Sequence, residues 1–92
     1  MIMDIIGYEQ DGHCDHCGRA LRHVILLADG RNVGATCFAK VMTKPRETWS
    51  GKKYRLSPSA VIDLAKCAEF WSRDKRSAMG ISDESLHFEE ND

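Results

Sequence analysis

The stretch that decides the fold opens on His13–Cys14–Asp15–His16–Cys17–Gly18 and closes on Gly34–Ala35–Thr36–Cys37–Phe38. Two cysteines separated by two residues can wrap one edge of a metal tetrahedron, the turn aiming both sulfurs and nearby backbone N–H groups inward. Gly18 supplies the small residue that such a turn requires. Leu21–Ala28, rich in Leu, Val and Ile, reads as a strand buried on much of both faces. Asp29–Gly30 then signals a hairpin turn of type I′, which needs positive φ at both positions. Arg31–Val33 returns as the partner strand. Thr36 is the expected N-cap of a short helix, which puts Cys37 in the first turn, where the helix dipole favours a thiolate.

Knuckle, hairpin and helix-borne ligand follow in the order of a treble-clef zinc finger. A complete treble clef carries its fourth ligand three residues after Cys37, and that position is Lys40, whose ammonium group cannot bind a metal. Cys67 is the first candidate for the missing donor, with a small buried hydrophobe as its plainer reading. His13, His16 and His23 lie close enough in sequence to compete, and water is the remaining choice. A redox dithiol is disfavoured because no strand–helix–strand pattern surrounds the cysteines. The expected cofactor is one structural Zn²⁺ on Cys14, Cys17, Cys37 and Cys67.

Outward from this frame, Met1–Glu9 reads as a first strand and Thr43–Leu56 as a loop without periodicity. Ser57 and Pro58 open a helix expected to run from Ser59 to about Met79, with Val61, Leu64, Ala65, Ala68 and Trp71 on one stripe and Gly80 as its stop. The fold class is therefore α+β: a small antiparallel sheet of N-terminal strand plus hairpin, a zinc knuckle, a short helix and one longer C-terminal helix. Residues 1–80 form a single zinc-stabilised domain. Residues 81–92 read as an acidic, flexible tail in which Leu86 and Phe88 touch the body. A chain of 92 residues has a thin core, which a structural metal commonly supplements.

The net charge of −1 hides an asymmetry, because residues 1–82 hold 13 basic against nine acidic side chains while the last ten hold five acidic and no basic ones. Between Lys40 and Arg55 six basic residues stand against Glu47 alone, with Trp49 and Tyr54 interleaved. Cations with aromatics suit phosphate backbones and unpaired bases, and a solvated loop is the plainer alternative. Lys44, Arg46, Trp49, Lys52, Lys53, Tyr54 and Arg55 are thus candidate partner-binding residues, with Arg31 (beside Arg19 and Arg22) extending the same face. No glycine-rich phosphate loop, nucleophile elbow or paired-histidine zinc helix occurs, so an enzyme is not expected. No signal-peptide pattern or membrane-length apolar run occurs either, so a cytoplasmic protein is expected.

Cys14–Asp15–His16–Cys17–Gly18–Arg19, the Asp29–Gly30–Arg31 turn and Gly34–Ala35–Thr36–Cys37–Phe38 resemble a family of small zinc-knuckle proteins found in phages and other mobile elements. The resemblance covers Cys14 to Val41, and Lys40 departs from its four-ligand form. It implies a small phage-encoded module that acts by binding a host protein or protein–nucleic-acid complex, as an anti-CRISPR inhibitor does. A stand-alone nucleic-acid-binding zinc finger is the first alternative, and a zinc-dependent hydrolase or nuclease the second.

Overall fold

Ile2–His13 forms β1, longer than the apolar start implied because the polar stretch through Gln10 and Asp11 continues to pair. A computed structural model describes residues 2–91. Antiparallel to β1 runs β2, Ala20–Leu27, in a register that sets Tyr8 opposite Ile25 and His13 opposite Ala20, with a bulge between Ile5 and Gly7. Next to β2 lies β3, Asn32–Gly34, and the sheet is closed on its far side by β6, His87–Glu89, in the order β3-β2-β1-β6. The α+β architecture expected from the sequence is thus present, with one strand more than the N-terminal strand and hairpin provide.

The β2–β3 turn is not of type I′. Gly30 donates to the Leu27 carbonyl and Leu27 to that of Arg31, each at 3.0 Å, and only Gly30 among the loop residues has positive φ. That is a three-residue loop with a bulge at glycine, a geometry that leaves Asp29 unstrained. Its carboxylate is instead used sideways, accepting from the Arg31 N–H and side chain.

The short helix α1, Ala35–Cys37, starts two residues earlier than a Thr36 cap would allow. Gly34 occupies the cap position without a side-chain bond, so Thr36 lies inside the first turn. A π-helical turn, Phe38–Met42, continues it, with Thr43 N–H reaching back to the Phe38 carbonyl at 3.2 Å. This turn places Phe38 and Met42 in the core while Lys40 faces out.

The stretch read as a loop contains a second, two-stranded sheet, β4 (Arg46–Glu47) paired with β5 (Lys53–Tyr54). The long helix is two helices. Ser57 caps α2, Pro58–Phe70, by accepting from the Ala60 N–H at 3.2 Å, but Trp71 turns extended and Ser72 caps a new helix, α3, Arg73–Ala78. A serine that competes for backbone N–H groups ends one helix and starts the next. Arg76 donates to the freed Trp71 carbonyl at 2.7 Å.

The stretch read as an acidic tail carries secondary structure. A 3-10 turn, Asp83–Leu86, leads into β6, which pairs with Ile2–Asp4. Leu86 and Phe88 are buried, and Phe88 meets Phe38 edge-on at 4.9 Å between ring centres. Exposed His87 and Glu89 flank Phe88 on the outward face of the strand, while Asp83 and Glu90 are half-buried and pair with Arg73 and Arg31. The core thus joins β1, β2 and β3 to Phe38, to Val61 and Ala65 of α2, and to Leu86 and Phe88. Among the described residues no helix is long and apolar enough to cross a membrane.

Candidate metal centre

The knuckle is closed by its own backbone. Gly18 N–H donates to the Cys14 carbonyl at 2.7 Å and Cys14 N–H to that of Arg19 at 3.0 Å, with Gly18 at φ 76°. Asp15 fastens it to the hairpin from both ends: its N–H donates to the Asn32 carbonyl at 2.7 Å and its carboxylate accepts from the Asn32 N–H at 2.8 Å. Beyond Asn32, Gly34 lets the chain pass close, since a Cβ there would stand 2.5 Å from Leu21 Cδ1. The following turn of helix delivers Cys37 to the knuckle.

The sulfurs of Cys14, Cys17 and Cys37 lie within 4.8 Å of one another, and all four cysteines are free thiols. For Zn–S bonds of 2.3 Å a tetrahedron edge is about 3.8 Å, so the spacing suits three corners of one. Cys14 is buried, Cys37 half-buried and Cys17 exposed. Burial alone would push the Cys14 thiol up, but hydrogen bonds from the Gly34, Cys17 and His16 backbones outweigh it and hold the group below its usual value. Such donors are what a metal-bound thiolate uses to spread its charge. Cys37 goes the other way, pushed up to about 12 by burial and then by its bonds to the sulfurs of Cys17 and Cys14. A divalent cation between the sulfurs reverses that, because a coordinating thiol is deprotonated outright. The residues present therefore fit a soft metal ion.

Cys67 does not join the cluster. It sits half-buried on α2 and lines a separate cavity with Leu56, Ala60, Leu64 and Ile81, as the plainer reading of a small packing residue has it. His13 and His16 are exposed, and His23 stacks on Tyr8 with its Nδ1 bonded to the Tyr8 hydroxyl. Among the described residues no fourth donor joins the three cysteines.

The candidate partner-binding residues divide into two groups. Arg46 is internal in function: its Nη2 donates to the Ser85 and His87 carbonyls at 3.1 and 2.7 Å, and its guanidinium lies 4.0 Å from the centre of the Phe88 ring. Arg55 donates to the Thr43 and Lys40 carbonyls at 2.7 and 3.3 Å, covering the open end of the π turn. Arg31 pairs with Asp29 and Glu90. Lys44 is exposed, its N–H donating to Glu89. At the β4–β5 hairpin, by contrast, Trp49 is 101% exposed, Tyr54 is 42% exposed, and Lys52 and Lys53 are exposed beside them. The structural arginines had no signal in the sequence, where an arginine that caps carbonyls looks like any surface cation. Asp15 was equally silent, since nothing in the motif marks it as the partner of Asn32.

What fold and site together define is a small α+β domain built around a three-cysteine cluster that could hold a metal. The chain matches no protein-family model, no curated protein and no solved structure.

Proposed function

We propose that the chain is a zinc-stapled, non-enzymatic binding module that docks on a protein–nucleic-acid complex through the β4–β5 hairpin. The observation that carries this is Trp49, wholly exposed at the tip of a hairpin that also displays Lys52, Lys53 and Tyr54. An indole left in water has no stabilising role in the fold, and beside lysines it is suited to stack on a base or anchor in a partner's pocket. The cysteine cluster supports zinc as the ion, since thiolates are soft ligands and a tetrahedral frame suits a d¹⁰ cation. In the setting implied by the resemblance, a phage-encoded chain of this kind would inhibit a host complex such as an RNA-guided nuclease.

The test uses Trp71→Phe protein, so that fluorescence reports Trp49 alone. Titration with a reconstituted RNA-guided nuclease complex should change the emission and saturate at one chain per complex. Trp49→Ala combined with Lys52→Ala and Lys53→Ala should weaken binding at least tenfold in a competition assay. Equal binding by that variant would refute the hairpin assignment. Tight, steeply salt-dependent binding to naked RNA or DNA would favour the stand-alone zinc finger instead.

A further inference from the structure

We propose that the metal held by Cys14, Cys17 and Cys37 keeps its fourth position open to a cleft that takes a small anionic ligand with a thiolate donor. The inference rests on the zinc reading above and adds a ligand to it. The three sulfurs are not equally enclosed. Cys14 is 1% exposed and backs onto the core, whereas Cys17 and Cys37 both line a cleft of about 470 Å³. Two of the three cluster cysteines thus border the cleft, which is the side from which a small ligand could approach an ion held there. A volume of that size lies in the range of roughly 300–1,000 Å³ that small-molecule sites occupy.

The chain offers no donor of its own for that corner among the described residues. The helix position that would complete a treble clef is the exposed Lys40, and Cys67 packs elsewhere on α2. His23 borders the cleft, but its Nδ1 is engaged by the Tyr8 hydroxyl, and neither ring nitrogen joins the sulfur cluster.

The walls of the cleft select for a class of ligand. Leu21, Ala35, Pro58 and Ile62 give it apolar sides, and Arg19 and Arg22 stand at its edge. Three thiolates around a divalent cation leave the site negative, which alone would repel an anion. The two arginines offset that charge and can hold a carboxylate by a forked pair of hydrogen bonds. The arrangement fits a short aliphatic stem with a thiol at one end and a carboxylate at the other. On binding, the thiol gives its proton to the solvent as the sulfur–metal bond forms.

The full chain loaded with Co²⁺ and titrated with 3-mercaptopropionate tests this. Binding should raise the thiolate-to-cobalt absorption by about one third, as a fourth thiolate joins three. Native mass spectrometry should count one chain, one cobalt and one ligand. Arg19→Ala with Arg22→Ala should raise the half-saturating concentration at least fivefold while cobalt uptake stays as before. His23→Gln should leave the cobalt spectrum before ligand is added unchanged, and Cys67→Ala should leave both measurements unchanged. Normal cobalt uptake with a spectrum that mercaptopropionate does not alter, or that already changes with His23→Gln, overturns the open position and leaves the zinc reading standing. Failure of the chain to take up cobalt at all overturns both.

Discussion

Cys14 and Cys37 face each other across the cluster, yet their surroundings drive them in opposite directions, and this has a measurable consequence. Because Cys37 in the metal-free fold holds its proton up to about 12, metal uptake near neutral pH must expel that proton. Apparent zinc affinity is then expected to rise with pH, by up to about tenfold per unit for each proton displaced. In the metal-free fold the sign is the reverse: keeping Cys37 neutral favours folding below the ordinary thiol value of 9.0, and that contribution is lost as pH climbs toward about 12. Competition against a zinc chelator at several pH values, in the native chain and in Cys37→Ser, reads the slope, which the variant should reduce. Gly34 offers a second probe. A methyl group there meets Leu21 Cδ1 at 2.5 Å, so Gly34→Ala should cost about 1–3 kcal/mol of stability by overpacking and weaken zinc binding by moving Cys37. Denaturant midpoints and the same competition assay would show both; a neutral effect on each would mean that Leu21 simply swings aside.

Among the elements, β6 shows how a polar segment is recruited into a core. Arg46 serves as its clasp, two hydrogen bonds on the carbonyls of Ser85 and His87 and a cationic face on Phe88. Hydrogen bonds from a charged donor are worth about 1.5–3 kcal/mol each, less where water competes, so Arg46→Ala should destabilise the chain by about 2 kcal/mol. Amide exchange should quicken across His87–Glu89 before it does in β2, and Arg46→Lys should restore little, because an ammonium lacks the planar fork. None of this was legible in the sequence: β6 is three residues long, its Asp4–His87 contact spans 83 positions, and Arg46 resembles a surface cation. The knuckle and hairpin were legible because they are local, with Cys14, Cys17, Gly18 and Gly30 each tied to a turn of a few residues. Cys37 was legible for the same reason, whereas Cys67 was not, because a cysteine on an apolar helix stripe looks alike as ligand or as packing. The break at Trp71–Ser72 was hidden because the polar residues after Trp71 suit the exposed face of a continuing helix, and only the serine's bond to Lys75 reveals it. The β4–β5 hairpin belongs to the same scale, and Trp49→Ala there should leave stability within about 0.5 kcal/mol while removing the proposed contact.

Taken as a whole, the molecule hangs on β1, which runs through the middle of the sheet and is fixed at both ends by different means. At its C-terminal end His13 leads directly into the cysteine knuckle; at its N-terminal end Ile2–Asp4 pairs with β6. A domain of this size is commonly stable by only about 0.05–0.15 kcal/mol per residue, so neither fastening is dispensable. Phe88→Ala removes the ring that meets Phe38 and should cost about 3–5 kcal/mol, a large share of that total. Shortening the chain after Gly80 removes Leu86 and Phe88 together and should lower the melting temperature further than Phe88→Ala does. The two fastenings lie at opposite ends of one strand, so their losses are expected to differ in kind. Without the tail, zinc should still be retained and exchange should quicken first at Ile2–Asp4; with zinc chelated, it should quicken first between His13 and Asn32. A shortened chain that melts where the full chain does would show that residues 81–92 only rest on a finished fold. A shortened chain that no longer takes up metal as well would show that the two ends of β1 are coupled, the metal site then depending on a strand whose other end is held by Phe88.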